Sequence, residues 1–161
     1  MRLAPLLLLL AGCAPLAMVL DPPLGQLARW RQTPALAAEQ PVITPCPDAN
    51  PACPQLHASR AEACMAAAMA TRAPGAACPG SAARPMLDCA AQAYAAARRT
   101  NPHPALAAGQ AQALICTAYL SDNNHSVVLA RQAMRAAQAS LSPLLQARAQ
   151  ALLDQPQGTT P

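Results

Sequence analysis

The sequence predicts an all-α protein of about five helices, arranged as antiparallel hairpins in a tetratricopeptide-like stack or a small bundle and stapled by disulfides. Three observations lead there. Of 161 residues 42 are alanine, whereas aromatic residues make up 2% and phenylalanine is absent. Sheets draw on branched and aromatic side chains, so helix is the default for this composition. The 18 prolines fall between the alanine-rich stretches or at their first turns, where they punctuate helices rather than break them. Alanine also buries little area, and at roughly 25 cal/mol per Å² such a core gains less per residue than one of leucine and phenylalanine. Covalent help is therefore expected, and seven cysteines are present to give it.

The elements follow in order. Residues 13–52 carry Pro15, Pro22, Pro23, Pro34, Pro41, Pro45, Pro47 and Pro51 and read as a proline-rich tether, with Arg29-Trp30-Arg31 a local exception, either a short amphipathic turn or, in preference, a solvated spot within it. The helical domain is expected over 53–154. Its first helix runs from Pro54 to Arg72 and ends at Ala73-Pro74-Gly75. A second spans 84–99, with Arg98-Arg99 suited to the negative end of the dipole, and Thr100-Asn101-Pro102 closes it. The third covers 104–120 and stops at the turn-forming Ser121-Asp122-Asn123-Asn124. Helices over 126–140 and 142–153 complete the set, the last with apolar Leu144, Leu145, Ala149, Leu152 and Leu153 in helical register. A disordered tail is expected over 155–161.

The first residues carry an address. Met1-Arg2 is a minimal positive start, Leu3 to Leu10 is an apolar run, and Leu10-Ala11-Gly12-Cys13 follows. This resembles the lipobox of bacterial lipoprotein precursors. The resemblance implies that residues 1–12 are a signal peptide, that Cys13 is diacylglycerylated, and that its new amino terminus is acylated, for example with palmitate. Ala14 stands where inner-membrane retention typically places aspartate, which implies the periplasmic side of the outer membrane. Two alternatives remain: an uncleaved anchor from Leu3 to Leu20, which holds Pro5 and Pro15, and cleavage near Ala35-Leu36-Ala37 to a soluble periplasmic protein. All three place the rest of the chain outside the cytoplasm.

In an exported chain, Cys46, Cys53, Cys64, Cys78, Cys89 and Cys116 read as up to three disulfides. The helices over 84–99 and 104–120 are joined by a short turn, and counting outward from it brings Cys89 and Cys116 to one height. Folding the loop beyond residue 72 back on its helix then gives Cys64 with Cys78, and leaves Cys46 with Cys53. The rival is a nested set, Cys53 with Cys89 and Cys64 with Cys78, which Pro79 and Pro85 oppose by interrupting the helix it needs.

Two internal patterns are present. Ala52-Cys53-Pro54 recurs as Ala77-Cys78-Pro79, with Cys64 and Cys89 eleven residues beyond each first cysteine. Ala90-x3-Tyr94-x2-Ala97-x4-Pro102 has small-large-small-proline spacing, and Ala130-x3-Met134-x2-Ala137 repeats it imperfectly. Tyr119 takes the large position of the helix between them, with Cys116 where a small residue is usual. Over about 84–153 this resembles the second helix of tetratricopeptide repeats, in which small residues let helices approach and the large one fills the gap. A plain helical bundle is the equal alternative.

Little here suggests catalysis. His57, His103 and His125 form no ligand pair or zincin motif, and there is no nucleophile elbow, phosphate-binding glycine loop or C-x-x-C. No enzyme activity and no cofactor are expected. The 11 basic residues are all arginine, dispersed, with a net charge of +4 and few aromatics between them, so nucleic acid is not the expected partner. One metal alternative exists, a periplasmic copper-binding protein. Cys64, Met65 and Met69 place soft sulfur ligands on one helix, with Met86 and His57 as candidates to join them. The favoured expectation is a membrane-anchored protein-interaction or scaffold module that holds an unidentified envelope protein.

Overall fold

The computed structural model describes residues 20–137 and 142–154. Among them the chain forms seven α-helices and no strand. In order these are α1 (Pro22–Gln32), α2 (Leu36–Glu39), α3 (Ala52–Ala70), α4 (Arg84–Thr100), α5 (Pro104–Tyr119), α6 (Asn123–Ala137) and α7 (Pro143–Leu153), with a 3-10 turn at Ser81–Ala83. Proline sits in the first turn of α1, α4, α5 and α7, where its missing N–H costs nothing. Side chains satisfy the first free amides: Asp21 accepts from the Leu24 N–H, His103 Nδ1 from Ala105, Asp122 from His125 and Ser142 from Leu145. The expected ends at Ser140 and over 155–161 lie outside the described residues, as does Cys13.

Each of α4 to α7 packs on its predecessor, and α1 and α2 lie on α3. The main core joins Ala61 of α3, Ala90, Tyr94 and Ala97 of α4, Leu106, Ala111, Leu114 and Ile115 of α5, Ala130 and Ala133 of α6, and Leu152 of α7. The α4–α5 hairpin shows how small residues make this work. Tyr94 stands eight residues before Pro102 and Gly109 seven after it, so the antiparallel pairing sets the ring over the glycine. A Cβ on Gly109 would meet Tyr94 Cζ at 2.4 Å.

Residues 20–52 are not a tether. Trp30 is 2% exposed and forms a second core with Leu27, Ala37, Ala52 and Leu56. Buried Gln26 fixes the extended stretch that follows: its Nε2 donates to the Pro41 carbonyl and its Oε1 accepts from the Ile43 N–H, both at 2.8 Å. Asn50 Nδ2 donates to Asp21 at 3.0 Å, and Arg60 Nη1 donates to the carbonyls of Ala37 and Gln40 at the end of α2. The prolines rule out long helices here but not short ones: Pro22 and Pro23 start α1 and Pro34 precedes α2. Arg29-Trp30-Arg31 is accordingly no solvated spot, because its central residue is core.

The cysteines pair as Cys46–Cys53, Cys64–Cys89 and Cys78–Cys116. The first pair is the one expected, and the other two exchange the expected partners. Helix phase, not height along the hairpin, selects the partners. At 3.6 residues per turn Cys89 lies about 140° around α4 from Tyr94, whereas Leu87 lies about 20° from it. Leu87 therefore faces α5 and packs with Cys116, and Cys89 turns to Cys64 on α3. The loop after α3 does not fold back. It runs on to the end shared by the start of α4 and the finish of α5, where Arg84 donates to the Leu120 carbonyl and Ser121 Oγ, and it delivers Cys78 to Cys116. The nested alternative does not occur either. Nor do the two Ala-Cys-Pro segments adopt one structure, since the first opens α3 and the second lies in a loop.

Candidate functional site: an alanine groove on α3

Helix α3 carries apolar residues all round, so its neighbours cannot cover it completely. One flank is taken by α4 and another by α1 and α2. Between them runs a groove of about 660 Å³, lined by Ala63, Ala66, Ala67 and Ala70 of α3, by Pro34, Ala35, Ala38 and Glu39 opposite, and by Met86 at one end. A cleft of about 350 Å³ continues it past Trp30, Arg31, Ser59 and Glu62. Ser59, Glu62, Ala63, Ala66, Ala67 and Ala70 recur at intervals of three and four, one face of a helix over roughly three turns, or about 16 Å. Ala66 and Ala70 are exposed. With methyl groups as its floor, the trough lets another backbone approach closely; its charged residues are Glu39 in the groove and Arg31 and Glu62 in the cleft beyond.

A second concavity, of about 340 Å³, lies on the other side of Arg60 and holds His57, Cys89, Gln92, Ala93, Ala96 and Val42. Burial is the largest influence on His57 and lowers its pKa from 6.5. The Arg99 and Arg60 charges act in the same direction, and Asp48 opposes them. His57 therefore favours the neutral imidazole. His103 caps α5 and His125 lies exposed at the start of α6, so the three histidines do not converge.

The structure gathers most of the repeat-packing residues. Ala90, Tyr94, Ala97, Ala130 and Ala137 are buried and Met134 packs against the same core. Pro102 is exposed in the α4–α5 connection. Tyr119 departs from the expectation: it is 46% exposed, standing at the last residue of α5 where the helix leaves the core. The copper alternative loses its thiolate, since the Cys64 sulfur is bonded to Cys89; Met65 and Met69 are partly buried on α3. Among the described residues no group of three or more His, Cys, Asp or Glu could hold a metal ion, and no helix is long and apolar enough to cross a membrane. Sequence reasoning missed the groove. Its signal was available in the stretch 63–70, where alanine and methionine occupy every face of the helix.

Fold and site together define an all-α, disulfide-stapled helical stack with an open apolar groove. No protein-family profile, curated protein or solved structure matches the chain.

Proposed function

We propose that this chain is an envelope lipoprotein, anchored in the outer membrane through acylated Cys13, whose helical domain is a non-catalytic scaffold that holds a partner protein by one amphipathic helix laid along α3. The groove carries this reading: a methyl-floored trough about three turns long suits a helix better than an extended segment, which needs a free strand edge. Charge narrows the partner. Glu39 is the charged residue that lines the groove, and Glu62 shares the adjoining cleft with Arg31, so the helix expected there has an apolar face with a lysine or arginine placed to meet Glu39. The lipobox supports the anchor and three cysteine pairs support an oxidising compartment. The packing of Ala90, Tyr94, Ala97, Ala130 and Ala137 is what a tetratricopeptide-like stack requires.

A photo-crosslinking residue placed at Ala67 in intact cells tests the groove. It should capture one protein through an amphipathic helix bearing basic residues. Ala66→Arg should abolish the adduct and Glu39→Lys should weaken it, whereas undiminished capture in Ala66→Arg sinks the groove as the binding site. For the anchor, Cys13→Ala should abolish partitioning into a detergent phase.

A further inference from the structure

We infer that a cleft between α4, α5 and α6 is an anion site that takes a phosphate group, free or carried as the monoester of a small molecule. The cleft holds about 370 Å³ and is lined by Arg98 of α4, Gln110 of α5, and Gln132, Arg135 and Ala136 of α6. It shares no residue with the α3 groove or the cleft that continues it. The topology brings the two arginines to one level. The pairing that sets Tyr94 over Gly109 puts Arg98 opposite residue 105 of α5, and counting outward from the α5–α6 turn puts Arg135 opposite residue 107. At 1.5 Å per residue these levels differ by about 3 Å. The same count sets Gln132 opposite Gln110, and Gln132 and Arg135, three residues apart, share a face of α6.

Hydrogen bonding leaves the cleft rich in donors. Arg98 Nη1 donates to Gln110 Oε1 at 2.6 Å, which orients the guanidinium and commits the amide oxygen, so Gln110 Nε2 is the group left to meet a ligand. Arg98 Nε is covered and has no hydrogen-bond partner among the described residues. The charge is therefore held partly out of water without an offsetting one. No carboxylate lines the cleft, and the four residues that follow α6, Gln138-Ala139-Ser140-Leu141, include none. Both arginines lie in the last turns of their helices, where the dipole favours a cation. Arginines that serve only as caps give their N–H groups to carbonyls, as Arg60 and Arg84 do. Among the described residues Arg98 and Arg135 do not. Two guanidinium groups with amide donors between them complement an oxyanion. A phosphate group carries about −1.5 to −2 at neutral pH, enough to offset both arginines, whereas one carboxylate leaves a positive charge over. Its oxygens also fit the guanidinium fork in pairs. The volume lies near the lower end of small-molecule sites, room for a phosphate and a small substituent.

The test titrates isotope-labelled, full-length, oxidised protein with inorganic phosphate, glycerol 3-phosphate or acetate at one pH and ionic strength, and follows the Gln110 side-chain amide and the Arg98 Nε–H by NMR. Both signals should shift and saturate with phosphate at about 1 mM or tighter, and acetate should bind at least about tenfold more weakly. Arg135→Gln changes an exposed side chain and should weaken phosphate at least about fivefold, read at Gln110. Arg98→Gln should weaken it at least about tenfold, and Arg98→Lys, which keeps the charge and loses the fork, should fall between. Arg72→Gln removes the same charge from the loop after α3 and should bind as the unaltered protein does. Helical circular dichroism checks each variant, and if Arg98→Gln does not fold, Arg135→Gln decides. Tighter binding of glycerol 3-phosphate than of phosphate identifies a monoester as the ligand, and the reverse identifies the free ion. No shift at about 20 mM phosphate, acetate bound as tightly as phosphate, or Arg135→Gln binding as tightly as Arg72→Gln overturns the site.

Discussion

The Tyr94 ring fills the space that a side chain on Gly109 would need, with Cζ 2.4 Å from the position of a Cβ there. Tyr94 is buried, so the ring cannot swing into solvent to make room. Gly109→Ala gains about 1 kcal/mol of helix propensity, but overpacking at a closed contact costs about 1–3 kcal/mol. The expected outcome is a net loss of about 1 kcal/mol in urea unfolding. Tyr94→Leu combined with Gly109→Ala should show a coupling in which the second change hurts less than it does alone.

Trp30 is the only tryptophan and lies in the core shared by α1, α2 and α3. Its emission should be blue-shifted in the native protein and should move to the red together with the loss of helical circular dichroism. An early separate fluorescence transition would show that residues 20–52 are not part of the cooperative unit. Trp30→Ala should cost about 3–5 kcal/mol, the usual range for a large aromatic residue removed from a core.

Peptide mapping without reduction should recover Cys46–Cys53, Cys64–Cys89 and Cys78–Cys116. Chain entropy ranks their contributions by the loops they close, with separations of 7, 25 and 38 residues, at about 2.4, 3.5 and 3.9 kcal/mol. Serine replacement of each pair should therefore lower the denaturation midpoint least for Cys46–Cys53 and most for Cys78–Cys116. Full reduction should unfold a protein whose core is so largely alanine.

His57 gives stability a pH dependence of defined sign. Its pKa in the fold is lowered from 6.5 by burial and by Arg99 and Arg60, with Asp48 partly offsetting them. The unfolded chain then binds the proton more readily, so stability is full above 6.5, falls as pH drops through it, and levels off below the folded value. Unfolding midpoints measured from about pH 8 to 5 should show this slope. His57→Gln should flatten it, and an unchanged slope would assign it to another group.

Helix positions were largely legible. The stretches 84–99, 104–120 and 142–153 correspond to α4, α5 and α7 within a residue or so, because proline and turn residues mark their ends. What sequence did not reveal was which way side chains point. Cys89 and Cys116 match in height but not in phase, and Tyr119 has large-residue spacing yet stands exposed at the end of α5. Prolines over 22–51 hid α1 and α2, whose docking depends on the long-range hydrogen bonds of Gln26 and Arg60 rather than on local pattern. The groove belongs to the same class. Alanine on every face of α3 announces surplus apolar surface, but only the placement of α2 and α4 determines which strip stays open.

The cysteine connectivity also bears on maturation. Cys64–Cys89 and Cys78–Cys116 interlace, since 78 falls inside the first loop and 89 inside the second. An oxidase acting on thiols in their order of emergence would join 46 to 53 correctly, then 64 to 78 and 89 to 116, trapping two non-native crosslinks. The native set forms only where α3 and α4 have paired before oxidation, or where mismatched bonds are exchanged afterwards by thiolate attack. Yield of the mature protein should therefore depend on a disulfide isomerase in its compartment as well as on an oxidase.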